Sequence, residues 1–194
     1  MSGRGIGRCE RGTQRATVPT NEAETIARAC RGEAAARSAL VNLHQALVYS
    51  IARHMLGRNE EVGDVFQTVF LKLLEHLDRI DPVIGAAGWL RRTTVNECFD
   101  RMKARRDGAL PESDNVSGTS STPVEVAQEH EADVAVRQAL QDLSPDYRAT
   151  VVLHYTEGLS YAEIAEVLDI SIETVRSRLK RARSQLRRKL RNYC

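Results

Sequence analysis

The stretch from Gly158 to Leu190 constrains the fold of this chain more than any other part of it. Gly158 stops a preceding helix. Ser160-Tyr161-Ala162-Glu163 then has the spacing of a capping box, in which a serine hydroxyl and a glutamate carboxylate reciprocally satisfy the free amides of a helix start. Tyr161, Ile164, Ala165 and Leu168 follow at i, i+3, i+4 and i+7, which gives that helix one buried side. Asp169, Ile170 and Ser171 make a short turn, with Ser171 placed to cap a second helix whose inward stripe is Ile172, Val175, Leu179, Ala182, Leu186 and Leu190. Two compact helices joined by three residues offer the second helix to a major groove.

The chemistry of that second helix agrees with its geometry. From Ile172 onward the basic residues are Arg176, Arg178, Lys180, Arg181, Arg183, Arg187, Arg188, Lys189 and Arg191, against the single acid Glu173. Glu173, Thr174, Arg176, Ser177, Arg178, Lys180 and Arg181 fall on exposed faces. Arginine pairs bidentately with guanine, glutamate accepts from a cytosine amino group, and serine or threonine contacts either, so the first turns suit base readout. The later cations suit phosphates. An ordinary amphipathic hairpin with a solvated charged face is the competing reading. The capping box, the short turn and the almost acid-free second helix together weigh against it.

Upstream the pattern is helical throughout. Ala, Leu, Arg and Glu are abundant and aromatics make up only 5%, a mix that favours an all-α fold. A net charge of +2 over 194 residues excludes a uniformly basic coat for nucleic acid, so the cations of the last helix act locally. Leu40, Leu43, Leu47, Ile51 and Met55 line one face of a helix that ends near Gly57. Val62, Val65, Phe66, Val69, Phe70, Leu73, Leu74 and Leu77 form the stripe of the next, and the two are expected to pack as an antiparallel hairpin. A turn around Asp81, Pro82 and Gly85 precedes a third helix from about Trp89 to Arg106, carrying Leu90, Phe99 and Met102. The sequence DGALPESDNVSGTSSTP over 107–123 reads as a linker that spans roughly 55 Å when extended, so the halves can reach separate stretches of one duplex. Beyond it, Val134, Leu140 and Leu143 belong to one helix, and Ser144-Pro145 opens the next, which runs to about Glu157.

Other function classes find no support. Cys9, Cys30, Cys98 and Cys194 are far apart, with no metal-ligand spacing, and read as reduced thiols. His44, His54, His76 and His154 are scattered singly. His130, within Gln128-Glu-His-Glu131, lacks a ligand partner one helical turn away and reads as part of a solvated helix start. There is no glycine-rich phosphate loop and no nucleophile elbow, so no enzyme, cofactor or metal is expected. The basic N-terminal tail, with Arg4, Arg8, Arg11 and Arg15, lacks a signal-peptide core, and no segment has the length and apolarity of a membrane span, so a cytoplasmic protein is expected.

Leu143-Ser-Pro-Asp-Tyr-Arg148, Glu157-Gly-Leu-Ser-Tyr-Ala-Glu-Ile-Ala165 and Glu173-Thr-Val-Arg-Ser-Arg-Leu-Lys-Arg-Ala-Arg183 closely resemble the fourth conserved region of extracytoplasmic-function sigma factors. The resemblance implies that Ser171, Glu173, Thr174, Arg176, Ser177, Arg178, Lys180 and Arg181 bind the minus-thirty-five promoter element. Asp64-Val-Phe-Gln67-Thr-Val-Phe70 resembles the family's helix that docks on RNA polymerase, which implies a polymerase-binding role for Asp64, Gln67, Thr68, Leu71 and Lys72. Leu71 stands apolar on an otherwise polar face, as either a partner contact or a peripheral core residue. Trp89-Leu-Arg-Arg, Asn96, Asp100-Arg101 and the basic end of that helix resemble the family's minus-ten segment. That likeness implies DNA contacts from Arg92, Asn96, Asp100, Arg101, Lys103 and Arg105, with capture of a base from the opened strand. Trp89 reads as a core anchor more readily than as a stacking platform. The loop before it, with Gly85, Ala86, Ala87 and Gly88, offers no base-reading side chain.

The resemblance divides the chain into a basic tail at 1–21, a region 2 domain at 22–106, a linker at 107–128 and a region 4 domain at 129–194. It implies core RNA polymerase and promoter DNA as partners, an anti-sigma factor that holds the protein inactive, and neither membrane insertion nor a small-molecule substrate. An ordinary helix-turn-helix regulator that binds an operator without polymerase is the alternative. Such a regulator needs a sensory or dimerising first half, whereas the first half here offers its own basic, DNA-suited helix.

Overall fold

The computed structural model describes residues 20–57, 59–81, 85–108 and 131–191. Most of the expected tail, most of the linker, Cys9, Cys194 and the cluster around His130 lie outside the described residues, and Thr20 and Asn21, expected in the tail, already belong to the first helix. Among those described the chain is helical: α1 (Thr20–Cys30), α2 (Ala34–Leu56), α3 (Asn59–Glu75), a short 3-10 turn (Leu77–Arg79), α4 (Ala87–Arg106), α5 (Glu131–Gln141), α6 (Pro145–Val151), α7 (Tyr161–Leu168) and α8 (Ile172–Lys189). No helix among them is long and apolar enough to cross a membrane.

Alpha-helix α2 is the centre of the first half, packed against α1, α3 and α4. It ends where expected, because Gly57 takes the left-handed conformation at φ 73° and its amide bonds back to the Arg53 carbonyl. Its buried face is rotated from the expected stripe. Leu40, Ile51 and Met55 are buried, but Leu43 is half exposed and His44 and Val48 take the inner positions. The stripe of α3 is as expected, with Val62, Val65, Val69, Phe70 and Leu73 buried, although the helix stops before Leu77, which enters the core from the 3-10 turn.

In the second half, Ser144 precedes Pro145 at the start of α6, but its hydroxyl makes no capping bond. Val134 is half exposed and so is not part of the core. Past Val151 the chain widens to π-helical turns over Val152–Thr156, where the Glu157 amide reaches the Val152 carbonyl at 3.2 Å. The His154 ring is held there by a Nδ1 donation to the Leu159 carbonyl at 2.9 Å and by edge contacts with Tyr155 and Tyr161.

The two halves share one hydrophobic core. Helix α2 touches α5, α6 and the Val152–Thr156 turn, and α4 touches α6 and α7. At the centre of this seam lies Arg148, buried although charged. Its guanidinium donates to the Met55 carbonyl at the end of α2, to the Gln141 carbonyl, to Gln141 Oε1 at 2.6 Å and to the Leu143 carbonyl at 3.1 Å. Gln141 Nε2 donates to the His54 carbonyl at 3.1 Å, and Ser50 Oγ donates to Glu157 Oε1 at 3.0 Å. Burial, and after it the charge of Arg105, pushes the pKa of Arg148 below its ordinary value.

Two consequences are measurable. Arg148→Ala strips several carbonyls of their donor and should destabilise the protein by roughly 3 kcal/mol in a urea titration, and Arg148→Lys, without the planar fork, should recover little of that. An alanine variant as stable as the parent would show that the seam does not depend on this side chain. Burial also pushes the Cys98 thiol up to about 12, whereas Cys30 is exposed. Alkylation followed by mass spectrometry should therefore label Cys30 first and Cys98 only on unfolding, and equal rates would contradict the packing of α4.

Candidate nucleic-acid and polymerase-binding surfaces

The helix-turn-helix is built by local chemistry. Glu163 N donates to Ser160 Oγ at 3.3 Å while Ser160 N donates to Glu163 Oε2 at 2.8 Å, so both sides of the capping box are made. The Ser160 hydroxyl, and after it the Ser160 backbone, holds the Glu163 carboxyl below its ordinary value. Ile164 is buried, and Tyr161, Ala165 and Leu168 pack against the core at half exposure. Asp169 closes α7 in the left-handed region at φ 54°, a conformation that a short polar side chain tolerates. Ser171 then caps α8, its Oγ accepting from the Thr174 amide at 3.1 Å and lying 2.9 Å from Thr174 Oγ1.

Val175, Leu179 and Ala182 anchor α8, and Ile172 stays exposed rather than joining the inward stripe. The remaining surface divides into faces. Arg178 pairs with Asp146 at 3.0 Å, Arg181 donates to the Tyr147 hydroxyl at 3.4 Å and Lys189 pairs with Asp142 at 2.5 Å, so one side of the helix is tied to α5 and α6. On the other side Arg176, Lys180, Arg183 and Arg187 line a shallow groove beside Tyr161. Arg183 donates through Nε to the Tyr155 hydroxyl at 2.6 Å and stacks over that ring. Glu173, Ser177, Lys180 and Arg181 face outward, and Arg176 Nη1 lies 2.7 and 2.6 Å from the two Glu173 oxygens. Of the side chains that sequence assigns to base readout, Ser171, Glu173, Arg176, Ser177, Lys180 and Arg181 are exposed, whereas Thr174 and Arg178 are half buried.

The residues assigned to the minus-ten element do not share a face. Arg92, Asn96, Asp100 and Lys103 lie together on the exposed side of α4. Arg101 and Arg105 turn toward α3 instead. Arg101 pairs with Asp64 at 2.8 Å, and Arg105 Nε donates to Glu61 Oε1 at 2.7 Å. Lys72 likewise pairs with Glu97, a half-buried acid of α4. The set assigned to polymerase docking is therefore partly an α3–α4 seam. Asp64, Gln67 and Leu71 are exposed, and at 61% exposure Leu71 is not a core residue. Trp89 is half buried against the core and 6.5 Å from the His76 ring, which agrees with an anchor.

Arg92 also reaches across the molecule, 3.5 Å from Asp169 in the helix-turn-helix turn. Sequence reasoning missed this contact, the Arg148 seam and a buried pair between Glu22 and His44, since none of them has a local pattern. No cluster among the described residues could hold a metal ion.

A model of sigma-70 region 2 matches residues 40–107, and a model of sigma-70 region 4 matches residues 133–186. The chain is 33% identical over 165 residues to the ECF RNA polymerase sigma factor SigL of Mycobacterium tuberculosis, covering 84% of this chain and 93% of that relative. The chain belongs to the ECF sigma factors. It is also 36% identical over 152 residues to SigE of Mycolicibacterium smegmatis, covering 76% of this chain but spanning only 59% of that longer relative. Among solved structures, it resembles CnrH in complex with the cytosolic domain of CnrY, with 26% identity, a TM-score of 0.66, and 88% and 97% of the two chains covered. The fold is shared as well by the sigma factor RpoE of Bartonella quintana, solved with the anti-sigma factor NepR, at 23% identity and a TM-score of 0.61 over 78% and 94% of the chains. As an ECF sigma factor, the chain carries its two family regions on α2 to α4 and on α5 to α8.

The capping box sets a pH dependence. A carboxyl whose folded value lies below its ordinary 4.5 contributes stability that is present above that ordinary value and is lost as the pH falls through the folded one. The difference in melting temperature between the parent and Glu163→Ala should therefore narrow as solutions are acidified past the usual glutamate range. A gap that stayed constant would mean that Glu163 acts through packing alone.

Proposed function

We propose that this sigma factor joins core RNA polymerase in the cytoplasm and directs initiation at promoters, itself performing no catalysis. The observation that carries the reading is the outward face of α8, where Glu173, Arg176, Ser177, Lys180 and Arg181 stand exposed on a helix capped at Ser171. Those side chains read the bases of the minus-thirty-five element, with Ser171, Thr174 and Arg178 at the rim. The exposed face of α4, with Arg92, Asn96, Asp100 and Lys103, takes the minus-ten strand, while Arg101 and Arg105 support it from the α3 side. Asp64, Gln67, Thr68, Leu71 and Lys72 form the polymerase face, with Leu71 as its apolar contact. Domain limits of 22–106 and 129–194 fit this division, and the region 2 match weighs against a regulator that never meets polymerase.

The arrangement of the halves bears on regulation. Arg92 of the minus-ten face touches Asp169 of the helix-turn-helix, yet elements named minus-ten and minus-thirty-five lie roughly 85 Å apart on straight duplex. The compact form must therefore open on a promoter. Solved relatives were captured with CnrY and with the anti-sigma factor NepR, which supports an anti-sigma partner for this chain too.

The test is transcription by core polymerase plus this protein on a library of promoter fragments. Initiation at a shared pair of elements is expected. Operator-like binding without any transcript, and no binding to core, would replace the reading with the regulator. On a promoter found this way, Arg176→Ala should weaken binding about tenfold, and a single change of the base it reads should cost the variant nothing further. Uniform weakening on all sequences would make Arg176 a phosphate contact.

A further inference from the structure

Helix α4 starts without a cap of its own. Its N-cap residue is Ala86, at φ −83° and ψ −17°, which has no side-chain acceptor, and no acid stands in its first turn. An uncapped helix start leaves amide donors unpartnered, and it does so at the positive end of the helix dipole. Here the Ala86 amide is buried, where a donor without an acceptor is costly.

The acceptor comes from 64 residues away. The Ala86 amide donates to Glu22 Oε1 at 2.9 Å. The same oxygen lies 3.0 Å from His44 Nε2, and since a carboxylate only accepts, that ring nitrogen is the donor. Both side chains are more than nine-tenths buried, at 7% and 8% relative exposure. Glu22 sits in the first turn of α1, whose Ile26 and Ala29 are in the core and which packs on α2 and on the 3-10 turn before α4. His44 takes the inner place on α2 where a leucine stripe alone predicts Leu43. A buried acid and a buried histidine that a plain apolar core does not require are thus spent on one amide, at the entrance of one helix.

We propose that Glu22 is a positioning residue for minus-ten recognition: a cap supplied by α1 and aligned by His44, which fixes the first turn of α4 and so the pitch of the face carrying Arg92 and Asn96. The inference rests on the reading of α4 as the minus-ten helix. It accounts for how Gly85 and Ala86, with the first helical residues Ala87 and Gly88, contribute to recognition without base-reading side chains, namely by being held. Glu22 and His44 touch no DNA in this scheme.

The experiment compares Glu22→Ala and Glu22→Gln with the parent, each bound to core polymerase. The probe is the single strand spanning the minus-ten element of a promoter from which the parent initiates, set beside a duplex carrying only its minus-thirty-five element. Hydrogen exchange at amides 86–90 in the free protein is followed in parallel. Glu22→Ala should speed exchange at those amides and weaken strand binding about tenfold, as expected for one buried hydrogen bond, with core and duplex binding within about twofold of the parent. Glu22→Gln keeps a neutral acceptor and should fall between the two. If the alanine variant does not bind core, the glutamine variant decides by the same pattern. Equal losses in all three binding assays would show a general folding role and overturn the proposal, as would unchanged exchange and strand binding. A parent holoenzyme that ignores the minus-ten strand would instead remove the reading of α4, while the exchange data still decide the cap.

Discussion

The fold depends on how one buried cation is satisfied. Arg148 lies buried in the last turn of α6, and among the described residues no carboxylate stands within ion-pair distance of it. Its two terminal nitrogens are taken up instead by carbonyl oxygens at the ends of α2 and α5, the negative poles of two helix dipoles, while its Nε is buried without a hydrogen-bond partner. A guanidinium suits this task because its donors are planar and diverge, so two chain ends can be gripped at once. Once Arg148 is held, α5 and α6 are registered on α2, and α7 is brought beside α4. The relation between the surfaces proposed for the two promoter elements is set across this seam, which Arg148 bridges.

Charge on α8 is organised by the same economy. A helix with so many cations and a single acid would repel itself if all of them faced one way. Asp142, Asp146 and the Tyr147 hydroxyl take up one flank, Tyr155 takes Arg183, and Glu173 holds Arg176 within the helix. What is left outward is a narrow band. On the proposed reading, phosphate contacts along its sides position the helix and leave the bases to the residues in the middle. Glu173 neutralises Arg176 in this arrangement, and on the proposed reading it is the same carboxylate that accepts from a base on DNA.

Features governed by neighbours in sequence were legible before the structure, and those governed by distant partners were not. The capping box at Ser160, the Ser171 cap, the Gly57 stop and the α3 stripe each depend on spacing over a few residues, and each is present. Leucine periodicity misplaced the α2 face by one residue, because Glu22 draws His44 inward and turns Leu43 out. Ile172 was assigned inward by period alone, yet at the very start of α8 no neighbouring helix covers it. The resemblance implies the minus-ten residues as one set, but Glu61 and Asp64 of α3 divide them into two faces. The polar seam of Ser50, Gln141 and Arg148 has no local signature at all.

That seam also sets what opening requires. The halves share apolar core residues from both regions, so separating them exposes apolar surface and breaks the bonds of Arg148 and Gln141 together. Such an interface opens only when another surface replaces what is lost, and polymerase and promoter bound at distant points are suited to do so. The Arg92–Asp169 pair is different in kind. It is exposed, 3.5 Å long and easily screened, so it adds little to closure, and losing it frees an arginine on the face proposed for the opened strand. On the proposed reading, stability of the closed form and readiness of the reading surface are therefore carried by separate residues, and a change at Arg148 shifts the balance between forms without touching a base contact.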